Sequence, residues 1–152
     1  MTNLISATRP CWFVGAAYNH NQDQTPRFIA EGIWENGYKD RYIEHVKSIQ
    51  PGDRIAIKAA YVRKKGFTFD THGNSVSVMA IKAIGVVTEN LGDGRSLKVD
   101  WKPVEPIREW YFYTYQKTVW KIVPGDWYND SLISFTFEGK EQDIEKFRNA
   151  PF

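Results

Sequence analysis

Cysteine is nearly absent: the chain has one, Cys11, and so no internal disulfide can form. Histidine is scarce as well, and His20, His45 and His72 are too scattered to make a ligand set with zinc spacing, so no structural metal is expected. No apolar run approaches the ~20 residues that a membrane span needs. The first thirty residues also lack the basic, apolar, small-residue order of a signal peptide, and a cytoplasmic protein is expected. A phosphate loop is missing, because Gly139-Lys140 runs into Glu141 where a hydroxyl residue is required; the chain carries no nucleotide-driven motor of its own. There is no Gly-x-Ser-x-Gly elbow, no glycine-rich dinucleotide turn after a strand, and no carboxylate pair that spacing singles out. The chain alone is therefore read as a non-enzyme that needs no cofactor. Excess charge is lacking too: at a net +2, any nucleic-acid footprint has to be a local patch.

What is present is aromatic. Phe, Trp and Tyr make up 15% of the 152 residues, six of them Trp, more than a core of this size usually takes, so some are expected at a stacking surface. The length suits one domain with a substantial core. "CWFVGAAY", Cys11 to Tyr18, reads as a buried strand. Thr25 and Pro26 start a very short helix that ends at Gly32, and Asp40 to Ile49 places Tyr42, Ile43, Val46 and Ile49 at helical spacing. The turn "QPGD" launches "RIAIKAAYV", a strand with one face buried. Val76 to Thr88 makes a long strand bent at Gly85, and "NLGDGRS" turns it into "LKVDW". Pro103 and Pro106 interrupt the next stretch; "REWYFYTY", "TVWKIV" and then "SLISFTF" precede a terminal helix "EQDIEKFRN". Between the strands lies a flexible-looking basic loop, Arg63 to Ser75. The order fits an α+β fold: a small, mostly antiparallel β-barrel, closed or nearly so, with a few short helices packed at its ends.

"FVGAAYNHNQ", "GIWENG", "DRYIEHVKSI" and "RIAIKAAY" follow one another in an order that resembles the YTH domains: strand, Asn-containing loop, Gly-Val-Trp-Ser segment, helix, strand. "QPGDRIAI" resembles the helix-to-strand turn of EVE domains, and "LKVDW" the Phe-x-Val-x-Trp strand of YTH domains. Together these cover about two thirds of the chain and resemble the PUA-like superfamily. With "EWYFYTY" and "EGKEQDIEKFRNAPF", the whole of 1–152 resembles the N-terminal recognition module of McrB-type restriction GTPases. The resemblance implies a single EVE-like domain at the N-terminus of a longer protein, with a motor domain in the same chain, a nuclease subunit as partner, and oligomerisation through the motor. It also implies a DNA-binding module that flips a modified base into an aromatic pocket. That base would be a methylated or hydroxymethylated cytosine or N6-methyladenine.

By this resemblance Trp34 is the first wall of the pocket, although a tryptophan after a glycine turn could equally plug the barrel end. Tyr18, Asn19 and Gln22 fall where the YTH loop reads the edge of the base, and Asn36 is placed to join them. The second YTH wall has no aromatic counterpart in "ENLGDGRS"; Tyr18, Tyr61, Phe67 and Phe69 are the candidates to replace it. Stacking on one ring is worth ~1–3 kcal/mol, enough for two walls to offset unstacking. Arg63, Lys64 and Lys65, with Lys98 and Lys102, are the candidate phosphate contacts. Trp12, Trp101 and Trp120 sit within apolar strand patterns and are expected in the core. Two alternatives stand within the superfamily. An ASCH-like ribonuclease would need a Gly-x-Lys-x-x-Glu-x-Arg signature, which is missing. A PUA-like RNA-binding domain would prefer RNA over DNA of equal sequence.

Overall fold

The computed structural model describes residues 9–151. Phe152, the end of the last phrase quoted above, lies outside them. The fold is α+β. In chain order it contains β1 (Cys11–Gly15), β2 (Ala17–Tyr18), β3 (Gln22–Asp23), α1 (Thr25–Glu31), β4 (Ile33–Glu35), α2 (Ile43–Ser48) and β5 (Arg54–Arg63). β6 (Val76–Asn90), β7 (Ser96–Tyr111), β8 (Val119–Ile122), α3 (Trp127–Glu138) and α4 (Ile144–Arg148) complete it. Six strands form one sheet in the order β4-β7-β6-β5-β1-β8, while β2 and β3 make a separate hairpin.

The sheet is mixed. β1 runs parallel to β5, with Cys11 opposite Arg54 and Gly15 opposite Lys58, and its other neighbours are antiparallel. Among the described residues no ladder joins the edges β4 and β8: the sheet is a curled, mixed half-barrel, where a closed or nearly closed, mostly antiparallel barrel was expected. Its curvature follows from the apolar pattern: Trp34 of β4 and Val119 of β8, from opposite edges, belong to one cluster with Trp12, Val14, Ile55, Ile57, Leu97 and Val99. Phe28, Val46 and Ile49 from α1 and α2 fill the same concave side. Cys11, Phe13, Ala56, Met79 and Ile81 point the other way, onto Leu132, Phe135 and Phe147 from α3 and α4. The helices thus cover two faces of the sheet, where they had been expected at barrel ends. For the same reason β5 is not half-buried: Ala56 and Lys58 are as enclosed as Ile55 and Ile57.

Several boundaries differ from the sequence expectation for local reasons. β7 runs unbroken through Pro103 and Pro106: residues 104–107 bulge out between the pairs Ala83↔Pro103 and Ile81↔Arg108, so Pro106 lies where no ladder donor is needed and Pro103 stands at the edge of the bulge. Gly85 lies within one continuous β6; a Cβ there would stand 2.6 Å from the Asp100 carbonyl and 2.9 Å from the Trp101 ring, so the glycine serves close strand packing. "SLISFTF" is helical: Leu132 with Phe135 and Ile133 with Thr136 are three apart and buried, and Gly139 in the left-handed region caps the helix. α2 starts only at Ile43, after Tyr42 at φ 65°. Trp12 is core as expected, and its indole N–H donates to the buried Asp53 carboxylate of the "QPGD" turn at 2.9 Å. Trp101 and Trp120 are only partly buried. Among the described residues no helix is long and apolar enough to cross a membrane.

Candidate functional site

A cleft opens where β1 ends. Its outer lobe, about 390 Å³, is lined by Tyr18, Asn19, His20, Gly37, Tyr38 and Thr118. An inner lobe of about 280 Å³ shares His20, Tyr38 and Thr118 and adds Asp23, Lys58 and Lys82. Sizes of this order suit a small planar guest.

The walls are held by short-range chemistry. Between β2 and β3 the chain reverses through Asn19 at φ 51° and His20 at φ 68°, and the Asn21 amide donates to the Tyr18 carbonyl at 3.2 Å. Left-handed residues in succession make a tight hairpin turn, and Asn tolerates that region well. The Asn and Gln of this loop are exposed, and Asn19 Nδ2 reaches Gln22 Oε1 at 3.4 Å. At the loop's exit Asp23 accepts from the Thr25 amide at 3.0 Å, the Thr25 hydroxyl at 2.6 Å and Lys82 Nζ at 3.0 Å. Burial would raise the Asp23 pKa, but these bonds outweigh it and hold the carboxyl below its ordinary value. Thr25, expected from the Thr-Pro pair as the N-cap, is instead the first residue of α1; Gln24 holds the cap position, and Asp23 before it accepts the Thr25 amide.

Tyr18 lies half-buried, its hydroxyl donating to the Glu35 carbonyl at 3.1 Å and its ring edge-on to Phe28. Gly37 makes room for that ring: a Cβ there would sit 2.7 Å from it. Burial, then the nearby Glu35, pushes the Tyr18 pKa up, so the phenol stays protonated. Tyr38 is 36% exposed at the mouth, and the Arg41 guanidinium stacks over its ring at 4.8 Å.

The structure separates the residues that sequence grouped. Tyr18 and Asn19 line the cleft; Gln22 is next to it in the exposed loop. Trp34, expected as the first wall, is 0% exposed: its ring belongs to the concave core, and its N–H donates to the Gly15 carbonyl at 2.9 Å, behind the cleft. Asn36, expected to read an edge, is fully buried. Its Nδ2 donates to the Arg41 and Gly94 carbonyls at 2.7 and 3.3 Å, and its Oδ1 accepts from the Tyr38 amide at 3.0 Å. It shapes the loop that carries Tyr38 and leaves no donor for a guest.

Tyr61, Phe67 and Phe69 are not among the residues lining the cleft. Phe67 and Phe69 stack with Tyr111 at 5.5 and 5.0 Å, and Tyr61 donates to Glu109 at 2.7 Å. Arg63, expected as a phosphate contact, is taken by Glu109 through both guanidinium nitrogens, at 2.5 and 2.9 Å. The loop expected to be flexible is thereby fastened to the sheet, with Arg148 bonded to the Asp70 carbonyl and to His72. Lys64 and Lys65 remain exposed with no acidic partner among the described residues. Lys98 stands 3.7 Å from Glu89, and Lys102 borders a different hollow beside Trp101.

Sequence reading passed over Tyr38, Lys58, Lys82 and Thr118. A tyrosine in "NGYKDRY" gives no periodic signal, and Lys58 occupies a polar position of an alternating strand that would ordinarily face water. Among the described residues no group of three or more His, Cys, Asp or Glu is placed to hold a metal ion. No family model matches the chain, and no curated protein matches it.

Proposed function

We propose that this chain is a DNA-binding module that accepts one extruded, chemically modified base in the cleft at the end of β1. The observation that carries the reading is the cleft itself, base-sized, bordered by the rings of Tyr18 and Tyr38 and fringed by the exposed amides of Asn19 and Gln22. Rings supply faces for stacking, and amides both donate and accept, as the reader of a base edge must. The ordered resemblance to PUA-like domains of the EVE and YTH kind points the same way. In this reading the aromatic walls are Tyr18 and Tyr38, and Trp34 supports them from the core. Lys64 and Lys65 supply the phosphate contacts. The domain then serves as the targeting part of a McrBC-type restriction system, with the motor elsewhere in the same protein and no chemistry of its own.

The test is a panel of one duplex carrying unmodified, C5-methylated, C5-hydroxymethylated or N6-methylated bases, at stated salt, with RNA of the same sequence beside it. One modified duplex is expected to bind tighter than the unmodified one. Tyr38→Ala is expected to reduce that advantage by ~1–3 kcal/mol, the usual worth of a stacking wall, with the melting temperature unchanged. Equal affinity across the DNA panel, or tighter binding of RNA, would overturn the reading.

A further inference from the structure

Lys58 is 3% exposed, on a strand with both faces covered. It stands opposite Gly15 and next to a break in the β5–β6 register. Its ammonium donates to the carbonyls of Tyr115 at 2.5 Å and Lys117 at 2.7 Å. Both acceptors are neutral. Among the described residues it forms no ion pair, and burial lowers its pKa to about 8. An ammonium has three N–H groups; the centre of the Tyr115 ring lies 6.0 Å from the nitrogen, and no oxygen or nitrogen acceptor among the described residues takes the third. A buried charge without a counter-charge costs stability that an apolar side chain of the same length would not. Such an arrangement needs a reason.

The reason lies in where the side chain is. Lys58 lines the inner lobe of the cleft with Lys82 and Asp23, and Lys82 is already paired to Asp23 at 3.0 Å. Of the two lysines lining the cleft, Lys58 is the one without an acidic partner. A charge-assisted hydrogen bond to an oxygen is roughly twice as strong as a neutral one.

We propose that Lys58 is the specificity-determining cation of the cleft, its third N–H donating to an oxygen acceptor of the guest. This rests on the functional reading above, and it adds the chemistry the guest must present at the inner end. The oxygen can come from the base, as a ring carbonyl or an oxygenated substituent, or from the phosphate flanking the extruded nucleotide. Lys58 binds the same atom type in both cases.

The experiment uses the duplex that wild type prefers, and a copy with a neutral methylphosphonate at the phosphate 5′ to the modified base. Lys58→Met keeps length and removes charge. It is expected to weaken binding of the preferred duplex by about tenfold or more, the worth of a hydrogen bond to a charged group, and to leave unmodified duplex unchanged. If the methylphosphonate costs wild type as much and costs Lys58→Met nothing further, the oxygen is the phosphate's; if the two losses add, it is the base's. Should the variant fold poorly, the ¹⁵N resonance of the Lys58 ammonium in wild type decides: it is expected to shift with the preferred duplex and not with the unmodified one. A folded Lys58→Met that keeps wild-type affinity, or an ammonium resonance that does not move, overturns the role of Lys58 and leaves the base-pocket reading standing. A wild type with no preferred duplex overturns both.

Discussion

Trp34 holds the cleft in place without being part of its surface. Its ring fills the concave core beside Phe28 and Leu97, and its N–H satisfies the carbonyl of Gly15, which itself lines the cleft. Trp34→Ala is therefore expected to cost ~3–5 kcal/mol of stability, the range for emptying a large aromatic site, as measured by urea denaturation. That is a large share of the ~5–15 kcal/mol typical of whole domains, so binding by this variant has to be read on its folded fraction. Normal stability would return Trp34 to the pocket wall. The sequence could not decide between these places: on the three-residue strand Ile33–Glu35 a single residue points inward, too few for any period to register. The end of the first strand near Tyr18 and Asn19 was legible because Asn-rich chain marks a turn, while the grouping of these two residues as a site came from the resemblance to the YTH loop. Lys58 was not, since alternation names a face and says nothing of what covers it.

β5 and β7, on either side of β6, are tied at their far ends by one carboxylate. Glu109 of β7 accepts from Arg63 and Tyr61 of β5 and from Tyr111. Hydrogen bonds from Arg63 first, then from the tyrosines, overcome burial and lower its pKa from 4.5 to about 2. An unfolded chain takes up a proton here near pH 4.5, where the folded one does not. The stabilisation is thus complete above pH 4.5 and is lost as pH falls through 2. Arg63 and Glu109 are 28% and 27% exposed, and solvent screening limits the contribution to about 1 kcal/mol. Glu109→Gln should lower stability by that amount at pH 7 and by progressively less between pH 4.5 and 2, in urea titrations across that range. A pH-independent loss would mean that packing, not charge, holds the corner. At this scale the sequence was informative where patterns are local: α1, the core of α2, β5, β6 and the start of β7 all stand near their expected places. It anticipated the β6–β7 hairpin through its turn and was silent on the parallel match of β1 to β5, which joins segments separated by β2, β3, α1, β4 and α2.

The two cores share one sheet. Alternate residues of β1 go to opposite sides, Trp12 and Val14 inward, Cys11 and Phe13 outward, and β5 does the same. Neither core can empty while the other keeps its strands, so thermal unfolding should be a single two-state step. Calorimetry should return an enthalpy on the order of 100 kcal/mol near 60 °C, equal to the van't Hoff value. Two resolved transitions would mean that α3 and α4 detach independently. The cleft depends on the same long-range closure. Its linings come from residues 15–20, from Asp23, from 37–38, 58–60 and Lys82, and finally from Gln116 and Thr118, whose carbonyl receives the Gly15 amide at 2.8 Å. During synthesis the ribosome delivers both tyrosines and Lys58 early and the closing segment late. A nascent chain therefore has no competent cleft until Thr118 has cleared the exit tunnel, and guest binding reports a finished fold.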